Sequence, residues 1–505
     1  MKTSFFAIIF FLNLQLVNAQ YVLNLGGKLK KDIISTNSER ISKGQDITLT
    51  NYNIRSTGLD ESKNPIYHVS YALVASQKVF EIEQSDIERI EFNQPSNTKD
   101  AWDIVSVKAG SFAYILAKGM QFDTRAEMDD ECHDYFRQLE NGNYLFNDDY
   151  LEVYLQSIAL GIHSSTLSYG RPGNLAVKIL KTSDINAFCM PNGTILITTE
   201  LLSTINSEEE LIGILAHEIA HFELDHQIKN LIAQVERKKR ADFWAGMATA
   251  FAAAGEGYLA AKSDVYFGGS LTMAASVLST SIAYQIIDRM GAHYTIEQEK
   301  EADEAAAILL VSLGKEKSAY CAVLSRIRNY YFKQGEYAAL FASKTHPDIT
   351  LRINSLGGCN PDVYYNNDFL KKISAVNTFN AIKEFNLLHY VRCNELVEKN
   401  IKAQVATEVD YIMKSKALLT LFDTAEKMNE ALLYLNKAKS LNVNPYNSVY
   451  KEEALVLLRL HKNAEAKQAF NIYLSNLEKS GSDKTQYLEN EIEWTKEMIY
   501  KVGQL

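Results

Sequence analysis

Cysteine is scarce in this sequence, with five residues among 505. No two of them have the close spacing of a zinc-binding pair, which argues against a cysteine-based metal site. The odd number leaves at least one unpaired thiol, and the sequence alone does not identify the partners of a disulfide bond. The five cysteines are Cys132, Cys189, Cys321, Cys359 and Cys393.

Positive charge is also in short supply. The chain has 52 Lys and Arg against 62 Asp and Glu, and its formal net charge is -10 at pH 7. This balance argues against nucleic acid as a partner. The sequence also lacks the several membrane-spanning helices that a membrane-embedded protease needs.

Two stretches within residues 241–290 contain no charged residue, namely 243–255 and 265–287. The first is too short to cross a bilayer, whereas the second is long enough. The second is nevertheless rich in Gly, Ser, Thr and Ala, so it is only modestly apolar. Two interpretations stay open: an alanine-rich helical hairpin that covers a cleft, or a lid that makes peripheral contact with a membrane.

What the sequence does contain is the pattern HEIAH, which begins at His217. His217 and His221 are four residues apart, so on a helix they share a face and can reach one metal ion. Glu218 lies beside that ion, where it can take a proton from bound water. Ser207 and Glu210 form a capping-box pair just ahead of an apolar run, which predicts the helix.

The third ligand does not follow the metzincin pattern, in which a histidine lies ten residues after the first and a glycine lies between them. Here those positions hold Gln227 and Leu224. A glutamate on a later helix is the alternative, and residues 294–313 are predicted to form one. Glu299 and Asp303 share a face of that helix. Glu299 can bind the metal, while Asp303 can accept the second ring N–H of a ligand histidine.

Together with two further segments, these motifs give the chain a resemblance to the HtpX-like and CAAX-endopeptidase family of zinc metallopeptidases. The family's Glu-x-x-x-Asp motif matches EKEAD at residues 299–303. Residues 186–193, NAFCMPNG, resemble the family's NAF-x-x-P-x-G strand, which precedes the HExxH helix. Residues 345–347, THP, followed by Arg352, resemble its downstream (S/T)-H-P…R-I segment. The resemblance covers about residues 106–360, and its four motifs occur in the family's order.

The resemblance implies a gluzincin site in which His217, His221 and Glu299 bind one zinc ion and leave one position for water. Zinc lowers the pKa of that water to about 7, and Glu218 accepts its proton and later passes it to the leaving amine. The NAF strand and residues 194–199 alternate like an edge strand. An extended substrate peptide can pair with such a strand through backbone hydrogen bonds.

Four further polar residues carry less specific predictions. Asn186 is a candidate substrate-binding residue, with a turn-capping asparagine as the alternative. His346 is a candidate catalytic residue that stabilises the developing oxyanion. A fourth zinc ligand that keeps the enzyme latent and an ordinary loop histidine are the other interpretations of His346. Arg352 is expected to orient the loop or to bind a substrate carboxylate, and His226 is interpreted as structural.

The beginning of the chain has the pattern of a secretory signal peptide. Lys2 is followed by an apolar core at residues 5–16 and by a small-residue cleavage site that ends at Ala19. No cysteine follows the site, which argues against a lipoprotein anchor, and an uncleaved anchor is the alternative. We therefore expect an exported protein, periplasmic or associated with the cell envelope, with secretion as a further alternative.

The predicted fold class is α+β, because the chain is too long for one ordinary domain and its composition changes along its length. After the signal peptide at 1–19, we expect a β-rich accessory region at 20–105. A mainly helical zincin peptidase domain with a small edge-strand sheet follows at 106–360, and a helical domain occupies 376–505. The strand-like segments of the first region are 66–74, 78–82 and 87–92.

The tail carries a weak internal repeat. Ala431 and Ala438 are matched 35 residues later by Ala466 and Tyr473. This pattern resembles tetratricopeptide repeats, whose stacked helix pairs offer a concave binding face. A generic helical bundle is the alternative. A repeat domain would recruit an envelope protein partner or a substrate.

These features predict an exported, zinc-dependent metalloendopeptidase that acts on protein or peptide substrates in cell-envelope quality control. The rival hypothesis is a repeat-based envelope scaffold or chaperone with a latent protease domain. The complete set of catalytic and ligand residues favours the enzyme. That set is His217, Glu218, His221, Glu299 and Asp303.

Overall fold

The chain is α+β, as the sequence predicts: a β-rich region comes first, helices around a small sheet follow, and consecutive helices form the tail. The predicted signal peptide at 1–19 and the whole of the stretch 241–290 with its uncharged segments lie outside the described residues. Within the described part of the chain, no helix is both long and apolar enough to span a membrane. The computed structural model describes residues 20–59, 65–110, 120–163, 175–235, 294–334, 346, 349–441, 448–479 and 486–504.

An antiparallel five-stranded sheet forms the β-rich region, in the order β6-β5-β4-β1-β7. Its alternating residues, such as Leu23 and Leu25, are buried, so one face packs on a core. A two-stranded hairpin, β2-β3, lies between β1 and β4. The strands are β1 (Gln20–Leu29), β2 (Ile33–Ile34), β3 (Arg40–Ile41), β4 (Asp46–Leu59), β5 (Pro65–Ala75), β6 (Lys78–Glu83) and β7 (Ile90–Phe92).

The strand predicted at 87–92 starts later than expected. Residues Gln84–Arg89 form a 3-10 helix, and only Ile90–Phe92 are extended. The carboxylate of Asp86 accepts the N–H of Glu83 at 3.3 Å, which stabilises the turn. This local side-chain bond competes with the strand that the apolar pattern predicts.

Helix α1 (Thr98–Ala109) connects the sheet to the peptidase region. Its Trp102 is buried, and the indole N–H donates to the carbonyl of Ile162 at 2.7 Å. Ile162 ends helix α3 (Asp149–Ile162), which follows α2 (Met120–Asn141). Buried residues of the sheet, of α1 and of the peptidase helices belong to one continuous hydrophobic core. The β-rich region is therefore packed directly on the peptidase region.

The small sheet of the peptidase region contains β8 (Ala176–Leu180), β9 (Ala187–Cys189) and β10 (Thr194–Thr198). Strand β10 lies in the centre, parallel to β8 and antiparallel to β9. The prediction that residues 194–199 form part of the edge strand is therefore wrong. All five residues of β10 are buried, as suits a strand with a neighbour on each side, and β9 alone provides the edge beside the site.

Three helices follow β10: α4 (Thr199–Thr204), α5 (Glu208–Glu223) and α6 (His226–Val235). The predicted start of α5 is confirmed, because the Ser207 hydroxyl accepts the N–H of Glu210 at 3.2 Å. The capping box is only half formed. The Glu210 carboxylate instead accepts the N–H of Asn206 at 2.6 Å, and it pairs with Arg326.

The second predicted helix is also confirmed, as α7 (Ile296–Ser312). Thr295 and Gln298 form the complete capping box at its start. Gly314, with a φ of +69°, follows its C-terminal cap in the left-handed region that glycine tolerates best. Buried alanines on α7, Ala302, Ala305 and Ala306 among them, let it pack closely against α5.

Three further helices complete the region: α8 (Ser318–Gln334), α9 (Ile349–Ser355) and α10 (Asn367–Lys372). A disulfide joins Cys321 on α8 to Cys359, just after α9, with a Cα–Cα distance of 6.0 Å. The other three cysteines are buried and belong to no disulfide. The disulfide therefore fixes the segment that carries α9 against α8.

Consecutive helices of the tail pack against one another. The predicted repeat positions Ala431 and Ala438 lie on the buried face of α14, and Ala466 and Tyr473 lie on that of α16. Their assignment to tetratricopeptide repeats stays a prediction. The tail helices are α11 (Ser374–Asn386), α12 (Tyr390–Lys402), α13 (Glu408–Leu421), α14 (Ala425–Ser440), α15 (Ser448–Arg459), α16 (Asn463–Lys479) and α17 (Gln486–Val502).

The first two tail helices dock on α4 through buried charges. Glu200 of α4 is fully buried and lies 2.7 Å from Arg392 of α12 and 3.2 Å from Lys383 of α11. Burial alone raises the pKa of a carboxyl, but the two cations outweigh it and hold the pKa of Glu200 below its usual value. Asn380 adds a hydrogen bond to the carbonyl of Thr199 at 2.7 Å. The helix that leads into α5 is thus fixed from the tail side.

Candidate metal centre

Four side chains from three parts of the chain converge at one point: His217 and His221 on α5, Glu299 on α7, and His346. One ligand atom of each lies within 4.8 Å of the others. The Nε2 atoms of the first two histidines are 3.0 Å apart. Glu299 Oε1 is 3.4 Å from His221 Nε2, and His346 Nδ1 is 2.8 Å from Glu299 Oε1.

These donors fit a zinc ion. Bonds of about 2.0–2.1 Å in a tetrahedron hold the ligand atoms about 3.3 Å from one another. His346 Nδ1 and Glu299 Oε1 lie 2.8 Å apart, His217 Nε2 lies 3.7 Å from Glu299 Oε2, and the whole group fits within 4.8 Å. Imidazole nitrogens and a carboxylate oxygen are also ordinary zinc ligands. The three predicted ligands therefore come together, and His346 lies at the fourth corner.

The two ligand histidines are buried, and burial is the largest cause that lowers the pKa of each below its usual value. A neutral imidazole keeps the lone pair that a metal ligand needs. The second nitrogen of His217, Nδ1, lies 3.1 Å from Asp303 Oδ1, as the sequence predicts for this carboxylate. The ring of His221 stacks on that of Tyr294, with centroids 3.5 Å apart.

Glu218 lies on α5 between the two histidines and is 3% exposed. Its Oε2 accepts the N–H of Cys189 on β9 at 3.2 Å, and its Oε1 is 3.6 Å from His346 Nε2. Burial is the largest cause of a raised pKa, about 7, although His346 opposes it. A carboxyl group with a pKa near 7 can both accept and return a proton at neutral pH.

Arg352 of α9 also reaches the site. Its Nη1 is 2.9 Å from Glu299 Oε2, and its Nη2 and Nε contact the carboxylate of Asp303 at 2.7 and 3.0 Å. Tyr320 of α8 donates its hydroxyl to Asp303 at 2.9 Å and stacks near His217. Burial raises the pKa of Glu299 and Asp303, but Arg352 and the neighbouring histidines together outweigh it, and both pKa values lie below their usual range.

His346 lies close to both glutamates of the site, Glu218 and Glu299. Besides its 2.8 Å contact with Glu299, its Nδ1 is 3.4 Å from His217 Nε2. Burial lowers the pKa of His346, but Glu299 and Glu218 outweigh it and the pKa is raised. Asn186 immediately precedes β9 and pairs with Thr198 through its backbone, at 3.0 and 3.1 Å.

Several residues around the centre were not predicted from the sequence. Tyr320 and Tyr294 hold the two ligand histidines from either side, and Gln227 donates to the Cys189 carbonyl and to the Tyr294 hydroxyl. His226 and Glu301 form a further contact behind His221. The position of Glu301 inside the EKEAD string was the one available signal, because it lies two residues after a ligand.

Comparisons with known proteins agree with this arrangement. The profile described as peptidase family M48 matches residues 151–359. The chain is similar to a putative beta-barrel assembly-enhancing protease of Vibrio cholerae, 26% identical over 197 residues, which are 39% of this chain and 37% of that protein.

Two other relatives match over shorter segments. The beta-barrel assembly-enhancing protease of Escherichia coli is 29% identical over 92 residues, 18% of each chain. The mitochondrial metalloendopeptidase OMA1 of Bos taurus is 40% identical over 53 residues, 10% of each chain. This chain therefore spans less than two fifths of the length of these relatives.

Proposed function

The chain carries a peptidase family M48 domain in residues 151–359, and on that basis we propose that the protein is a zinc-dependent endopeptidase that hydrolyses peptide bonds in protein substrates. One observation carries the proposal. The ligand atoms of His217, His221 and Glu299 converge, and the carboxylate of Glu218 lies beside them in the same buried pocket.

Each residue has a task in this reaction. A zinc ion held by His217, His221 and Glu299 supplies Lewis acidity and lowers the pKa of water to about 7. Glu218 Oε1 takes a proton from the attacking water and returns it to the leaving amine. Its raised pKa, about 7, suits both transfers. Asp303 holds the proton on His217 Nδ1, which leaves Nε2 free as a ligand.

Strand β9 supports substrate binding. An extended peptide would pair with the edge that faces away from β10, where it would replace the bonds that Cys189 makes with Glu218 and Gln227. Asn186, directly before β9, is in position to orient the substrate near its start. Arg352, by contrast, is buried against Glu299 and Asp303, so we assign it to holding the third ligand in place.

His346 is proposed to keep the enzyme latent. Its Nδ1 lies among the ligand atoms, where it competes with water and substrate for the fourth position. Hydrolysis then requires His346 to move away from Glu299. The alternative role predicted for it, that of an oxyanion donor, draws on the 3.6 Å between its Nε2 and Glu218 Oε1.

The biological setting is proposed from the chain's ends and its relatives. The predicted signal peptide favours export to the periplasm or the cell envelope. The names of two relatives refer to beta-barrel assembly, and both are proteases. We propose that this protein degrades misassembled envelope proteins and that its tail helices bind a partner or the substrate.

The test measures metal content and casein hydrolysis on residues 20–505 and on the Glu218→Gln variant. We expect one zinc ion per chain in both proteins. Hydrolysis should fall by at least about 100-fold in the variant, because it loses the general base. Absence of zinc from both proteins would overturn the ligand assignment.

The rival function is an envelope scaffold or chaperone whose peptidase site is unused. The contact between His346 and Glu299 favours this rival function, because it closes the site. The same Glu218→Gln variant separates the two hypotheses when it replaces the parent in cells. Retained envelope integrity would support the scaffold, whereas its loss would support the protease.

A further inference from the structure

A second histidine lies directly behind the ligand His221. The Nδ1 atoms of His221 and His226 are 2.8 Å apart, and both side chains are fully buried. On its other side, His226 Nε2 is 3.0 Å from Glu301 Oε2. A carboxylate, two imidazoles and the metal position therefore form one continuous line.

The local backbone explains how His226 reaches this position. Helix α5 ends at Glu223, and Asp225 adopts a left-handed conformation with a φ of +60°. A break of two residues, Leu224 and Asp225, therefore separates α5 from α6, which begins at His226. The side chain faces back toward His221 instead of toward solvent.

The protons in this line follow from the donors and acceptors. An ionised carboxylate only accepts hydrogen bonds, so His226 carries its proton on Nε2. Its Nδ1 then offers a lone pair, and the facing Nδ1 of His221 must supply the proton between them. His221 Nε2 is left unprotonated, and its lone pair faces the other ligand atoms.

We propose that His226 is a positioning residue that, backed by Glu301, fixes the tautomer and the ring orientation of the metal ligand His221. In metal sites this task usually falls to a carboxylate, a backbone carbonyl or water. Here Asp303 does it for His217, and the His226–Glu301 pair does it for His221. The inference rests on metal binding at the proposed centre.

The two supports differ in exposure. The Asp303 side chain is 4% exposed, whereas that of Glu301 is 42% exposed. Water can therefore replace Glu301 as the acceptor of His226 Nε2, but nothing comparable can replace His226 in its buried position. We accordingly expect substitution of His226 to have a larger effect than substitution of Glu301.

The experiment uses the purified protein and three variants: His226→Leu, His226→Asn and Glu301→Ala. Zinc affinity is measured by competition with a chelator, and the visible spectrum of the cobalt-substituted protein reports the geometry at the metal. We expect His226→Leu to weaken zinc affinity by about 10- to 100-fold and to change the cobalt spectrum. His226→Asn keeps an acceptor near the position of Nδ1 and should recover most of the loss. Glu301→Ala should have a smaller effect than His226→Leu.

A matched control separates positioning from packing. His163, at the C-terminal end of α3, and Glu223 of α5 form another histidine–carboxylate pair, at 2.9 Å, and neither belongs to the converging ligand group. His163→Leu should lower thermal stability without changing zinc affinity or the cobalt spectrum.

The proposal is overturned if His226→Leu binds zinc as tightly as the parent. It is also overturned if His226→Asn loses as much affinity as His226→Leu, or if His163→Leu loses as much as either. These failures leave the proposed peptidase intact, because the parent still binds zinc. A parent protein that binds no zinc would overturn both.

Discussion

At the scale of single residues, His346 decides whether the centre is open. Its Nδ1 is 2.8 Å from Glu299 Oε1, within the ligand group. We expect His346→Ala to raise kcat/KM for casein, because the fourth position becomes accessible to water. Peptidase assays on the parent and the variant at equal zinc content measure the effect. A fall in kcat with unchanged zinc affinity would instead identify His346 as an oxyanion donor.

Lys399 of α12 gives stability a pH dependence. Its Nζ donates to the carbonyls of Ser203 at 2.5 Å and Ile205 at 3.3 Å, at the end of α4. Removal of its ammonium group from water is the largest cause of a pKa lowered to about 7, and Arg392 adds to it. An unfolded lysine titrates near pH 10.4, so above pH 7 the unfolded chain binds more protons than the folded one.

The folded state therefore gains stability as the pH rises through this window, by up to about 1.4 kcal/mol per pH unit. Lys399→Met removes the titrating group. We expect its free energy of unfolding to exceed that of the parent most at pH 7 and the difference to shrink toward pH 9. Urea denaturation at pH 7, 8 and 9 tests this. Parallel pH curves for the two proteins would contradict it.

At the scale of single residues, the sequence predicts the candidate ligands better than it predicts the residues that surround and support them. The four-residue spacings of His217 with His221 and of Glu299 with Asp303 follow from helix geometry, so they can be read without a structure. Contacts such as that of His226 with Glu301 join residues 75 positions apart on different helices. No local periodicity encodes such a distance, and the role of His226 was therefore missed.

At the scale of elements, the disulfide between α8 and the end of α9 encloses both His346 and Arg352. Its two cysteines are 38 positions apart. We expect the double variant Cys321→Ser/Cys359→Ser to lose about 3–4 kcal/mol of unfolding free energy, because the unfolded chain regains the freedom of that loop. Urea denaturation without reductant measures the loss.

A dithiol reductant provides the control for this prediction. It should lower the stability of the parent and leave the double variant unchanged. Equal stability of the oxidised parent and the variant would show that the bond does not hold this segment.

Helix starts were the most predictable elements. Ser207 and the Thr295–Gln298 pair satisfy backbone N–H groups through their own side chains, a local rule that the sequence displays. Strands were less predictable. Residues 87–89 turn into a 3-10 helix through the Asp86 bond, and β10 lies in the centre of its sheet because β8 arrives from elsewhere in the chain.

At the scale of the whole molecule, a buried contact joins the peptidase region to the helical tail, across the boundary predicted before residue 376. Glu200 pairs with Lys383 and Arg392, which belong to the first two tail helices. Removing these helices takes away both cations that pair with Glu200 and uncovers the surface of α4 on which they pack. We expect residues 20–373 to be insoluble and residues 20–421, which keep three tail helices, to fold.

Solubility and circular dichroism of the two truncated proteins measure this difference. A soluble, cooperatively melting 20–373 would show that the peptidase is independent of its tail. The order of a β-rich region, a peptidase and a helical tail was predictable from changes in composition along the chain. The shared core of the first two regions was not, because packing between regions leaves no periodic signal in either.

The separation of the converging side chains along the chain has a consequence for synthesis. His217 and His346 are 129 positions apart, and Glu200 precedes its partner Arg392 by 192 positions. Because a chain grows from its N-terminus, the HEIAH helix emerges long before the residues that complete and support it. A nascent chain that has emerged only as far as this helix therefore lacks the residues that complete the proposed centre. The molecule cannot cut neighbouring chains until most of its own sequence has been made and folded.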